Sequence, residues 1–172
     1  MKKKPIFIIP GFRHKPSGKA YRAIASMLRR EGYAPILVTI PWKQSTISEN
    51  TALFLKKYNR IEAKEKYILG FSFGAMIGFL AATKVKPAGL ILCSLSPYFK
   101  EDMKKKPKTK ASSITMRRFE DFSTLHCAAL ARKIKSKRVH FLYGMSEEKA
   151  IIQRANHAYT HIPSLEKSVL PI

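Results

Sequence analysis

Six short apolar runs punctuate the chain at intervals wide enough for one helix each, at residues 5–9, 36–40, 66–69, 89–94, 138–143 and 168–170. Stretches such as Ile6-Phe7-Ile8-Ile9 and Leu90-Ile91-Leu92 show no polar alternation, which predicts strands covered on both faces, as in a parallel sheet. Between the first two runs, Tyr21, Ile24, Ala25 and Leu28 fall at i, i+3, i+4 and i+7, the spacing of one helical face. Thr51, Phe54, Leu55 and Tyr58 repeat it, and Thr46 with Glu49 stands where a capping box would start that helix. A helix of small and apolar residues is expected from Ala75 to about Thr83, and another with Phe122, His126 and Ala129 on its apolar face. A last helix should begin near Glu147, turn Ile151, Ala155, Ala158 and Ile162 inward, and stop at Pro163.

Strand and helix alternating in this way predict an α/β fold, a three-layer sandwich around a mostly parallel sheet of about six strands. At 172 residues the chain is expected to be one domain. Residues 101–118 break the rhythm with Lys104, Lys105, Lys106, Lys108, Lys110, Arg117 and Arg118 and read as an exposed basic loop or short lid. No internal repeat is evident.

Composition narrows the class. Lysine and arginine number 33 against 11 acids, a formal net charge of +22, yet 45% of residues are apolar, which excludes a disordered basic tail. Cys93 and Cys127 are too few for a disulfide framework, and Cys93 lies in an apolar run, so a reducing, cytoplasmic setting is expected. The apolar run behind Lys2, Lys3 and Lys4 stops at Pro10 and Gly11, too short for a signal-peptide core. No segment reaches the roughly 20 apolar residues of a membrane-spanning helix.

The sharpest motif is Gly70-Phe71-Ser72-Phe73-Gly74, between the strand at Tyr67-Ile68-Leu69 and the helix from Ala75. The bare pattern arises by chance about once in twenty chains of this length, but a chance copy rarely falls at a strand-to-helix junction. There the chain must reverse within a few residues, which forces the serine into an unfavourable backbone conformation with its hydroxyl outward. Glycines are needed on both sides because side chains would collide with neighbouring elements. The helix start behind it offers free N–H groups and a positive dipole end to an anionic oxygen.

In these residues the chain resembles the α/β-hydrolase superfamily, over nearly its whole length. The strand Ile6 to Ile9 runs into Pro10-Gly11-Phe12, similar to the loop where that family keeps a second oxyanion donor, with proline in place of the usual histidine. The resemblance implies Ser72 as nucleophile and the backbone N–H groups of Phe12 and Phe73 as the oxyanion hole. It also implies an acid after the penultimate strand, where Gly144-Met145-Ser146-Glu147-Glu148 is like the family's Gly-x-x-Asp. Glu147 is the first choice, Glu148 the next, and Glu101 or Asp102 a weaker alternative. On the same resemblance the chain begins at the family's third strand and stops before its histidine loop.

The base is therefore where the pattern departs. His157 and His161 are the nearest substitutes, and Asn156-His157 superficially resembles the family's Gly-His. In a helix starting near Glu147, ten residues at 1.5 Å carry His157 about 15 Å from the catalytic edge, so it serves as base only if the segment leaves the helix. His14, two residues beyond Phe12, is expected at the site's rim, as a substrate contact or replacement base. His126 reads as a packed histidine on a helix face, and His140 lies within a strand. His157 and His161 at i, i+4 lack a third metal ligand, so neither metal nor cofactor is expected.

Two functions follow as expectations. One is a serine hydrolase of carboxylesterase or thioesterase type, cleaving a small-molecule ester through an acyl-enzyme on Ser72, with Glu147 and His157 as its partners. The other is a catalytically impaired protein of the same fold that meets an anionic partner through its basic surface. Arg13, Lys15 and the lysine run suggest anionic acyl substrates, in a pocket otherwise lined by Phe12, Phe71, Phe73, Pro97, Tyr98 and Phe99. The bases are spread along the chain and no nucleic-acid motif appears, so no specific nucleic acid is expected.

Overall fold

A computed structural model of the chain describes residues 4–103, 115–164 and 166–172. The lysine run from Lys104 to Lys110 lies outside the described residues. Six strands, β1 (Lys4–Ile9), β2 (Tyr33–Leu37), β3 (Tyr67–Phe71), β4 (Gly89–Cys93), β5 (Arg138–Tyr143) and β6 (Glu166–Pro171), form one sheet. Its order is β2-β1-β3-β4-β5-β6 and every pairing is parallel. The helices among the described residues are α1 (Lys19–Arg30), α2 (Ile47–Asn59), α3 (Phe73–Ala82), α4 (Lys100–Met103), α5 (Met116–Thr124), α6 (Cys127–Ala131) and α7 (Lys149–His161).

Alternation along the strands builds two cores. Phe7 and Ile9 of β1 face the larger one, with Ile68, Leu90, Leu92, Val139 and Phe141, under α2, α3 and α7. Ile6 and Ile8 face the smaller one, where α1 lays down Tyr21 and Ala25. Helices on both faces make the expected three layers. All ten residues of α3 are buried, which is why its sequence is small and apolar throughout. Gly78 lets it close on the sheet, since a Cβ there would come within 3.0 Å of the Ile68 side chain. The capping box of α2 forms as expected: Thr46 Oγ1 accepts from Glu49 N at 3.2 Å, and a Glu49 carboxylate oxygen accepts from Thr46 N at 2.9 Å.

Three expectations are corrected. Strand β2 begins at Tyr33 and includes Pro35, which an edge strand tolerates because its outer side needs no N–H donor. The single helix expected through Phe122, His126 and Ala129 is two, because Leu125 is extended (φ −89°, ψ 95°). His126 thereby becomes the exposed N-cap of α6, while Leu125, Cys127 and Ala131 turn inward. The flanks of the expected basic lid are ordered: Met103 is buried in α4, and Arg118 in α5 is 6% exposed. Both cysteines are free and buried, and burial pushes the Cys93 thiol up to about 12.

Candidate active site

The carboxyl ends of β1, β3, β4 and β5 converge on one edge, and each delivers part of the site. Ser72, at φ 54° and ψ −117°, sits between β3 and α3 in a region that L-residues rarely occupy. The turn is pinned from both sides. Ser72 N donates to Cys93 O at 2.9 Å, and Ser72 O accepts from Ala75 N at 2.9 Å and Met76 N at 3.2 Å. The flanking glycines are there for want of space. A Cβ on Gly70 would lie 2.4 Å from Gly74 O, and one on Gly74 would lie 2.3 Å from Ile9 O and 2.5 Å from Pro10 O. These are backbone atoms that cannot step aside.

The hydroxyl of Ser72 meets the hydroxyl of Ser96 at 3.0 Å. Phe73 and Gly74 occupy the first positions of α3, whose N–H groups have no acceptor within the helix. Across from them, the loop after β1 turns tightly at Gly11–His14, closed by His14 N donating to Gly11 O at 3.0 Å, with Arg13 at φ 61°. The Phe12 and Phe73 rings are 5.3 Å apart, so the two backbone segments proposed as oxyanion donors are neighbours.

Phe73 is the hub of an aromatic wall formed with Phe12, Trp42, Tyr98 and Phe122. Two residues expected on this wall are elsewhere. Phe99 is fully buried against Phe79, and Phe71 turns to the other face of the sheet, 5.4 Å from Tyr21. Of the two arginines nearby, Arg118 is buried and Arg13 is exposed. Arg118 carries its guanidinium 4.8 Å from the Phe12 ring centre and donates to Ser45 O and Trp42 O, while Arg13 lies 5.1 Å from the same ring. Burial first, and then the Arg13 charge, pulls Arg118 below the usual arginine range.

Glu147 stands at the end of β5. Its Oε2 accepts from Ser94 Oγ at 2.5 Å and from Gly144 N at 3.3 Å. Ser94, at φ 51°, is itself held by N–H donation to Leu142 O at 2.7 Å. Glu148 is the exposed N-cap of α7. Glu101 and Asp102 are committed elsewhere: Glu101 accepts from Cys127 N at 3.2 Å, and Asp102 accepts from Phe99 N at 3.0 Å and pairs with Arg154.

The histidines separate clearly. Helix α7 runs unbroken from Lys149 to His161, so the condition under which His157 could reach the site is not met. Its ring stacks on His161 at 4.7 Å and lines a cleft of about 390 Å³ with Glu101, Asp102 and Arg154. His140 bonds Ser168 Oγ at 2.8 Å. His14 is the one brought near Ser72, although no hydrogen bond joins them. Its ring comes within 3.3 Å, and Ser72 Cβ within 3.5 Å, of the point where a Cβ on Gly11 would sit. Tyr21 Oη accepts from Gly11 N at 3.0 Å and lies 2.8 Å from His14 Nδ1.

Sequence reasoning missed Ser94, Ser96, Trp42 and Tyr21 as parts of this edge. The one available signal was Ser94-Leu95-Ser96 directly after a buried strand. Among the described residues no three His, Cys, Asp or Glu side chains converge as a metal site would require.

No protein-family model and no curated protein matches the chain. Solved structures do. Mouse alpha/beta hydrolase domain-containing protein 10 is 17% identical, with 99% of this chain covering 81% of that one at a TM-score of 0.83. A putative hydrolase from Agrobacterium vitis S4 is 16% identical, with 99% covering 79% at 0.83. Est1E from Butyrivibrio proteoclasticus, solved with ferulic acid bound, is 15% identical, with 99% covering 80% at 0.80. Likeness at such low identity speaks for backbone geometry alone, the parallel sheet with helices on both faces: the chain has the α/β-hydrolase fold.

Proposed function

We propose that the protein is a serine hydrolase of carboxylesterase or thioesterase type that works through an acyl-enzyme on Ser72. The observation that carries this is the strained turn at φ 54°, which the fold maintains with two glycines and three backbone hydrogen bonds. Strain of this kind costs of order 1–3 kcal/mol and persists only where surrounding structure enforces it. In the reaction, Ser72 Oγ passes its proton to the imidazole of His14, the histidine brought near it, and bonds to the carbonyl carbon. The carbonyl oxygen takes up negative charge between the N–H groups of Phe12 and Phe73. Collapse expels the alcohol or thiol, which recovers a proton, and water then cleaves the acyl group from Ser72. Ser96 orients the hydroxyl, and Glu147 Oε2 holds the positive-φ turn at Ser94 beside it.

The acyl group we propose is anionic and flat. The aromatic wall suits a planar chain, and the guanidinium groups of Arg13 and Arg118 beside Phe12 suit a carboxylate. Est1E, a structural neighbour, is recorded with the planar ferulic acid bound, which supports the flat part of this reading and not the charge.

A fluorophosphonate probe tests the central step. Labelling of the wild type that vanishes in Ser72→Ala supports it. The absence of labelling at any pH overturns it in favour of the impaired, anion-binding reading, which is supported by the lack of a hydrogen bond from any of the five histidines to Ser72.

A further inference from the structure

Because every strand is parallel, all connections running from a helix into a strand meet at the edge opposite Ser72. Two of them, residues 83–88 and 132–137, lead into β4 and β5, which pair directly with Gly89 opposite Arg138. They carry Lys84, Lys86, Arg132, Lys133, Lys135 and Lys137, all exposed, and not a single acid. None of these six side chains makes a hydrogen bond or ion pair among the described residues. The acid that Lys137 feels is Glu65, already bonded to Lys4 at 3.0 Å.

These cations stand on a rigid base. From Lys133 to Lys137 exposure alternates: Ile134 and Ser136 are buried and the three lysines point out. Ser136 Oγ donates to Pro87 O at 2.9 Å, joining the two connections. Ser164 Oγ donates to Ser136 O at 2.7 Å, which ties in the connection before β6. Little ordering entropy is therefore left for a ligand to supply.

The chemistry of the ligand follows from what this edge lacks. Its aromatic rings are covered or half-buried: Tyr58 lies under Lys66 Nζ at 4.0 Å, Tyr159 lies under Lys167 Nζ at 4.6 Å, and half-buried Tyr33 packs edge-on against Tyr67 at 5.2 Å. No aromatic residue is exposed among the described residues, so unpaired bases find no stacking platform. None of the exposed large apolar side chains lies in the two connections, so a bilayer finds no anchor there. A bilayer on this edge would also face away from Ser72. The six cations, unpaired among the described residues, suit phosphate contact, which fixes a duplex without reading its sequence.

We propose that the amino edge of the sheet, centred on the connections before β4 and β5, binds the phosphate backbone of duplex nucleic acid independently of sequence. Nothing in this rests on the chemistry assigned to Ser72.

Fluorescence anisotropy of a short random-sequence DNA duplex, titrated with the full chain between roughly 50 and 200 mM salt, tests it. Wild-type affinity should fall linearly on a log–log plot with rising salt. The triple variant Lys133→Gln, Lys135→Gln, Lys137→Gln should bind at least about tenfold more weakly and flatten the salt slope by about 3, one unit per lost phosphate contact. Lys19→Gln, Lys43→Gln, Lys149→Gln removes the same charge from the opposite edge and should change affinity by less than about threefold. Equal losses in the two triples would mean that net charge alone acts, and would overturn the proposal. So would a duplex left unbound while phosphatidylserine vesicles are bound. Fluorophosphonate labelling of Ser72 should be the same in the amino-edge triple as in wild type, which separates this proposal's failure from that of the hydrolase reading.

Discussion

The two edges of this sheet are built on opposite terms. At the carboxyl edge, Arg13, Gln44, Ser72 and Ser94 follow the first four strands in turn, and each has φ between 51° and 61°. Polar groups there are bound to one another: Ser72 to Ser96, Ser94 to Glu147, His14 to Tyr21. At the amino edge, among the described residues, positive φ occurs only at Gly32, where α1 ends and only glycine is comfortable. Among the described residues, the lysines of the connections before β4 and β5 make no hydrogen bond or ion pair. Strain is thus concentrated where side chains are aimed at a common point, and the backbone is relaxed where the six cations of the two connections stand.

Glycine-to-alanine changes should break this contrast most visibly. Gly74→Ala drives a methyl group into Ile9 O and Pro10 O and should cost about 3 kcal/mol or more in urea unfolding, with labelling of Ser72 lost. Gly32→Ala meets nothing within 4 Å and pays only for its φ of 83°, about 1–2 kcal/mol, with labelling retained. If the two variants are equally destabilised, the carboxyl edge is not the crowded one.

How much of this could be seen in the sequence depends on how local each signal is. The Ser72 turn was legible because two glycines and a serine must lie within five residues of a strand end. The capping box was legible for the same reason. Ser94 and Ser96 were not, since only strand pairing, with Phe71 opposite Cys93 and Cys93 opposite Leu142, brings them to Ser72 and Glu147. Pro35 obscured β2 because a strand's place at the sheet edge is a tertiary fact. One local signal went unseen, against the expectation of no repeat. Tyr58, Ile61 and Lys66 recur in spacing and type as Tyr159, Ile162 and Lys167. In both copies the lysine donates to the tyrosine and isoleucine carbonyls at a helix end and covers the tyrosine ring.

Tyr21 sharpens the comparison at the carboxyl edge. Tyr21→Phe removes the acceptor for the buried Gly11 N–H and the hydrogen bond to His14 Nδ1, with an expected cost of about 1–3 kcal/mol. Labelling of Ser72 should slow as well, because the oxyanion loop loses its anchor. Unchanged stability together with unchanged labelling would show that the loop is held by its own turn. At the amino edge, Lys66→Met leaves the Tyr58 and Ile61 carbonyls at the end of α2 without their donor, and Lys167→Met does the same for Tyr159 and Ile162 at the end of α7. Each should cost about 1–2 kcal/mol by urea midpoint, with no effect on labelling.

The faintest probe is α7, which runs between the edges. His157 Nε2 is buried without a hydrogen-bond partner. Burial, then the charges of Arg154 and His161, hold its pKa below the ordinary 6.5. A ring harder to protonate when folded binds fewer protons in the native state than in the unfolded one. Its contribution to stability is therefore whole above the unfolded value and declines as pH falls toward the lower folded value. Carboxylates titrate lower, near 4, so the window from about 6.5 down to about 5 belongs mainly to histidine. In that window the urea midpoint of the wild type should fall with pH more steeply than that of His157→Gln. Parallel slopes would mean that the ring is hydrated when folded, and that the buried middle of α7 contributes nothing to the contrast between the edges.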